Sequence, residues 1–197
     1  RGLGGSAVLT DVVPSKTLIA AAEVMSKIRS AEDVGLQLVG GGQRLADAVG
    51  FDLGKGHARI RALAKAQSTD IRDRLVGEGI RIIPGWGRLD GAQRVIAATE
   101  DGEETLGADI VLVATGAHPR ELAVARPDGE RIFNWTQIYD LDRVPEHLVI
   151  VGSGVTGAEF ASAYQALGVQ VTLVSSRHQV LPGQDDDATR AIQQVFE

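Results

Sequence analysis

At 197 residues the chain has room for one sizeable core or parts of two domains, and no apolar stretch is long enough to span a bilayer. A net charge of -6 with no basic patch argues against nucleic acid as a partner, and the absence of cysteine excludes disulfides, thiolate metal sites and thiol catalysis. High glycine (24 residues) with only 4% aromatics suits a nucleotide-binding α/β protein rich in tight turns. No signal peptide precedes the first motif, so a cytoplasmic location is the expectation. The chain starts at Arg1 without methionine, and residues 191–197 read as a helix still running. It is therefore expected to be an internal fragment of a longer protein.

In chain order, Pro14-Ser15 opens a helix in which Leu18, Ala22, Met25 and Ile28 recur at helical spacing. A short strand is expected over 35–38, then the loop Gly40-Gly41-Gly42. A second helix is expected over about 56–76, with Ile60, Leu63, Ile71 and Leu75 on one face and Gly77 and Gly79 ending it. Residues 80–83 read as a strand before Gly85-Trp86-Gly87. Residues 94–99, the turn at 100–103, and Thr105 onward form antiparallel strands. The apolar run 109–114 reads as a strand buried on both faces. A domain boundary falls near Val144-Pro145, followed by strand 148–151, a glycine turn, a helix to Leu167, Gly168 as its stop, and strand 171–174. Asp185-Asp186-Asp187 is read as a helix N-cap, not a metal cluster.

Gly152-Ser153-Gly154-Val155-Thr156-Gly157 is a GxGxxG in the setting that gives the pattern meaning, directly after a strand and directly opening a helix. The first glycine permits the tight turn and the second lets backbone N–H groups approach a pyrophosphate. The third allows close helix packing, with the helix N-terminus facing the anion. The competing reading is a glycine turn with no ligand. At the end of the second strand, where NAD-specific domains place Asp or Glu against the ribose 2′-hydroxyl, stand Ser175, Ser176, Arg177 and His178. Nothing there repels a 2′-phosphate and Arg177 can pair with one, which favours NADPH over NADH. Arg177 as a solvated loop residue remains the alternative.

Four separated segments resemble, in order, the flavoprotein (pyridine nucleotide) disulfide reductase family: residues 4–16, Gly85-Trp86-Gly87, Ala114-Thr115-Gly116-Ala117-His118-Pro119, and residues 152–159. The first keeps the family's frame of Gly-Gly-Thr-Cys, four residues, Cys-Ile-Pro-Ser-Lys. Ala7 and Val12, however, stand where the two redox cysteines belong. Alanine and valine carry no electrons, so the dithiol relay is gone while its scaffold is kept. The resemblance implies an α/β fold of two Rossmann-like domains, both incomplete here. Residues 1–144 would bind FAD, with the first βαβ missing, and 145–197 would begin an NAD(P)-binding domain. It implies FAD contacts at Gly5, Ser6, Gly87, Ala114, Thr115 and Gly116, and NADPH or NADH contacts at Gly152, Gly154, Val155, Gly157, Ser175 and Arg177. Lys16 would lie near flavin N5 and pair with Glu159, a cation there favouring negative charge on the ring. Taken alone, both are ordinary surface charges.

Val155 replaces the aromatic that gates the nicotinamide pocket in some relatives, and the family's catalytic His-Glu pair would lie beyond Glu197. His57, His118, His147 and His178 are therefore read as surface or loop histidines. The implied activity passes a hydride from NAD(P)H through FAD to a small acceptor such as a quinone, as in the family's cysteine-free, lipoamide-dehydrogenase-like branch, with a homodimer expected for the full-length protein. A pyridine nucleotide transhydrogenase and a non-catalytic nucleotide-binding protein are the alternatives.

Overall fold

Two helices open the chain, the five-residue α1 (Gly5–Leu9) and α2 (Val12–Arg29). Pro14 is tolerated in the first turn of α2 because the N–H it lacks has no intrahelical partner there. Leu18, Ala22 and Met25 form the buried stripe of α2, as their spacing predicts. After a 3₁₀ turn (Ala31–Val34) and the short α3 (Leu45–Ala48) comes α4 (Leu53–Gly77), whose N-terminus is capped by Asp52 accepting the Lys55 N–H at 2.9 Å. A computed structural model describes residues 2–197 of the chain.

Three strands, β1 (Trp86–Leu89), β2 (Arg94–Thr99) and β3 (Gly102–Gly107), form an antiparallel sheet in that order. Trp86 pairs with Ala98, and Arg94 with Gly107. Gly85 leads into it at φ 158, where an added Cβ would lie 2.2 Å from the Ala98 carbonyl oxygen, so only glycine fits. Further along, β4 (His147–Val151), α5 (Val155–Ala166) and β5 (Gln170–Val174) make a parallel βαβ unit in the expected place. The α/β class therefore holds, with a Rossmann-type crossover. The last helix, α6 (Asp186–Phe196), is capped by Asp185 accepting the N–H groups of Asp187 and Ala188, both at 3.1 Å. Among the described residues no acidic group is arranged to hold a metal, and no helix is long and apolar enough to cross a membrane.

The core lies where α2, α4 and α5 meet, around Leu18, Met25, Ile60, Phe160, Tyr164 and Leu167. Each large side chain buried there contributes about 1.5–3 kcal/mol. Lys16 and Glu159, each in the second turn of its helix, touch at one end of the α2–α5 contact. Arg29 reaches the Gln165 carbonyl oxygen at 3.2 Å at the other end. The two helices therefore run side by side in the same direction. Arg29 lies at the C-terminal end of α5, where unpaired carbonyls favour a cation.

Four expectations from the sequence are corrected. Residues 35–38 form no strand: Gly35 and Leu36 return their N–H groups to Glu32 and Ala31, closing the 3₁₀ turn, and the rest is coil with Gln37 exposed and Leu38 half-buried. Residues 80–83 are also coil, held near β3 by Arg81 forking onto Glu104 at 2.8 and 2.6 Å. The 109–114 run is neither strand nor buried; Ile110 and Leu112 are each 87% exposed. A strand buried on both faces needs ladders and covering layers, and no strand of the described residues lies beside it.

The buried line of α4 is the fourth correction. It runs through Leu53, His57, Ile60, Ala64 and Ser68, leaving Leu63 40% exposed. His57, expected at the surface, is 0% exposed, with Nδ1 2.9 Å from the Leu141 carbonyl oxygen. Burial pushes its pKa below the ordinary value of about 6.5. A histidine depressed in the fold binds fewer protons than when unfolded, so its contribution to stability is complete above about pH 6.5 and lost as pH falls below it. The thermal midpoint of the holoprotein is expected to fall between pH 7 and pH 5, less steeply in His57→Gln. Identical pH slopes for the two proteins would contradict this.

Candidate functional site

Strand β4 ends at Val151 and the chain turns at Gly152, whose φ of 116 and N–H bonded to the Val174 carbonyl at 2.8 Å set a sharp strand-to-helix corner. Gly154 precedes the first turn of α5, and among the described residues no side chain caps that N-terminus. Its free N–H groups and helix dipole therefore face outward, as an anion site requires. A Cβ on Gly157 would lie 1.9 Å from the Gly152 carbonyl oxygen, so α5 sits against the loop more closely than any side chain permits. A Cβ on Gly152 or Gly154 would meet nothing within 4 Å, which leaves open space on the side a ligand would take. The turn at Gly152, the open space at Gly154 and the close approach at Gly157 form a geometry that a dinucleotide pyrophosphate would fit.

Ser175 stands directly after β5. Its hydroxyl lies 2.7 Å from Ser153 Oγ and accepts the Arg177 N–H at 2.9 Å. Ser153, only 4% exposed, also donates to the Gln179 carbonyl at 3.3 Å. Ser175 therefore ties the glycine loop to the loop after β5. Val155 and Arg177 are exposed, and the Arg177 guanidinium makes no bond among the described residues. Arg177 lines a cavity of about 520 Å³ together with Ser153, Ser175 and His178. A second cavity, about 610 Å³, opens where β4 ends and is lined by Gly152, Gly154, Val155, Thr156, Arg131 and Trp135. This is the carboxyl end of a strand, the place where open α/β sheets bind ligands. One wall of it is stiffened by Asp128, whose carboxylate accepts the N–H groups of Ile132, Arg131 and Glu130 at 2.8–2.9 Å. Those bonds hold its pKa at about 2.

The second constellation is the ion pair. Lys16 Nζ donates to Glu159 Oε1, joining residues 143 positions apart, with side-chain exposures of 55% and 23%. A pair this open adds little stability. Its consequence is orientation: a cation is held at the ends of two helices, on the same α2 segment that carries Val12.

The remaining sequence candidates are placed but not gathered. Gly5 and Ser6 are exposed in α1, which joins α2 through the Thr10 and Asp11 N–H groups bonded to the Ser6 carbonyl. Ala7 is exposed in α1 and Val12 is 47% exposed. Gly87 lies in β1 opposite Ala97, and Ala114, Thr115 and Gly116 are exposed coil. No hydrogen bond or ion pair among the described residues joins Gly87 or 114–116 to Lys16. Ser153 escaped the sequence reading, although its place inside the glycine loop was the available signal.

Comparison with known proteins gives four findings. The profile of the pyridine nucleotide-disulphide oxidoreductase family matches residues 2–197. An NAD(P)H dehydrogenase (quinone) of Mycobacterium tuberculosis (strain ATCC 25618 / H37Rv) is 46% identical over 99% of this chain and 40% of its own length. A dihydrolipoyl dehydrogenase of Bacillus subtilis (strain 168) is 31% identical over 99% of this chain and 41% of its own. The crystal structure of LpdA from Mycobacterium tuberculosis superposes with a TM-score of 0.86 at 45% identity, covering 100% of this chain and 42% of that one. The chain thus spans about two fifths of the length of the relatives it matches.

Proposed function

Because the chain belongs to the pyridine nucleotide-disulphide oxidoreductase family, we propose that it is part of a flavin-dependent NAD(P)H:quinone oxidoreductase that works without a redox disulfide. The observation that carries this reading is the Lys16–Glu159 pair, kept on a segment that has Ala7 and Val12 in place of sulfur. Bound FAD would supply the redox chemistry, taking a hydride from the nicotinamide and passing two electrons to the acceptor. The balance is NAD(P)H, a proton and a quinone giving NAD(P)+ and a hydroquinone.

The chain's own residues have separable tasks. Gly154 and Val155 present backbone N–H groups to the dinucleotide pyrophosphate, Gly152 makes the turn that exposes them, and Gly157 keeps that helix end close to the loop. Arg177 offers a cation to a ribose 2′-phosphate, which favours NADPH. Lys16, oriented by Glu159, supplies positive charge toward the flavin and would stabilise negative charge arriving there. Gly5, Ser6, Gly87, Ala114, Thr115 and Gly116 would line the FAD. Residues 1–144 contribute to the FAD domain and 145–197 to the NAD(P) domain, in a cytoplasmic homodimer.

The test is anaerobic mixing of the holoprotein with NADPH and, separately, NADH. The visible flavin band is expected to bleach, faster with NADPH, and to return on adding a naphthoquinone. A band that never bleaches sinks the proposal.

A further inference from the structure

Two cavities flank the glycine loop. Ser153 lines the smaller one together with Ser175 and Arg177, whereas Gly152, Gly154 and Val155 line the larger, of about 610 Å³. A dinucleotide carries two nucleoside arms on one pyrophosphate. With the pyrophosphate at the loop and the adenosine 2′-phosphate at Arg177, the larger cavity is left to the nicotinamide arm. The less exposed lining of that cavity is apolar: Phe133 and Trp135 are half-buried, and Ile138 and Phe160 are buried. Its charged residues Arg120, Glu121 and Arg131 are all exposed.

Trp135 is the largest flat surface in this lining, and it is held still. Asn134 Oδ1 accepts the N–H groups of Thr136 and Gln137 at 3.0 and 3.1 Å, and Gln137 Oε1 accepts the Asn134 N–H at 3.0 Å. The turn that carries the indole is thereby closed from both sides, and the side chain packs against the core. Among the described residues the indole meets no other ring and its N–H makes no hydrogen bond. A fixed tryptophan with a bare face and an unused donor is suited to a flat ligand that is partly polar. Val155 lines the same cavity from α5, is 56% exposed, and brings no aromatic face of its own.

We propose that Trp135 is a binding residue for the nicotinamide ring, stacking on it in this cavity and favouring its oxidised form. This rests on the reading of the glycine loop given above. The reduced ring is neutral, whereas the ring that has given up its hydride is a pyridinium cation. Of the aromatic side chains, tryptophan attracts a cation over its face most strongly. The indole therefore holds NADP+ more tightly than the reduced cofactor, and its attraction grows as positive charge develops on the departing ring.

The test compares three ligands on the holoprotein and on Trp135→Leu. They are NADP+, tetrahydro-NADP (whose ring is neutral and gives up no hydride), and adenosine 2′,5′-bisphosphate, which lacks the nicotinamide arm. In Trp135→Leu, NADP+ is expected to bind roughly tenfold more weakly and tetrahydro-NADP about threefold, with the bisphosphate at its parent affinity. Trp135→Phe keeps a smaller face and should lose about threefold for NADP+. A tryptophan that only packs the core would weaken all three ligands alike or none, and either result overturns the proposal. Should Trp135→Leu fail to fold, Trp135→Phe decides by the same comparison. If Gly157→Ala weakens NADP+ binding while the Trp135 variants do not, only the Trp135 assignment falls; if none of them matters, the reading of the loop falls with it.

Discussion

Replacing Gly157 with alanine is expected to weaken NADPH binding on the order of a hundredfold, about 2.7 kcal/mol. The cause is steric: the new Cβ would lie 1.9 Å from the Gly152 carbonyl oxygen, a backbone atom that cannot rotate away. Either α5 backs off the loop or the loop opens, and both moves pull the helix N-terminus from the pyrophosphate. Gly154→Ala is the instructive contrast. Its φ of -71 suits alanine and a Cβ there meets nothing within 4 Å. That variant should keep its thermal midpoint and still bind NADPH more weakly, because the methyl group fills space that only the ligand needs. NADPH titration and thermal unfolding of both variants decide the matter. If Gly157→Ala binds NADPH like the parent, or Gly154→Ala loses stability instead of affinity, the assignment of the loop is wrong.

Lys16→Met is expected to slow flavin reduction by NADPH on the order of a hundredfold, as the loss of a charge aimed at a developing anion does. Methionine keeps much of the stem, so the packing of α2 should survive. The pair is open to solvent, and stability is expected to change little. Glu159→Gln should give a smaller loss in the same direction, because Lys16 keeps its charge but loses its anchor. In the double variant the effects should fall short of their sum, the signature of two residues acting as one unit. Single-turnover absorbance changes at the flavin band measure all three. Additive losses, or a parent-like rate for Lys16→Met, would refute the role given to the pair.

Local chemistry made much of this legible in advance. The βαβ unit was readable because alternation, glycine and helical periodicity agree along one continuous stretch of chain. Asp185 was readable as a cap because capping spans only three residues. The face of α4 was misread because Leu63 drew attention while Ala64 and Ser68, small residues that permit close approach, formed the true seam. The 109–114 run carries a strand's composition, but composition cannot supply the neighbours a strand needs.

What the amino-acid order determined by itself is the set of parts: a glycine loop able to face a pyrophosphate, a segment with Ala7 and Val12 where the family it resembles has cysteines, and a lysine and a glutamate 143 positions apart. Only the tertiary structure decided that this lysine and glutamate meet, that His57 is buried, and that Ser153 and Ser175 tie the glycine loop to the loop after β5. The physical reason is range. Turn geometry and capping act over a few residues, whereas ion pairing and desolvation depend on which helices α2, α4 and α5 bring together, and that is settled by packing over the whole core.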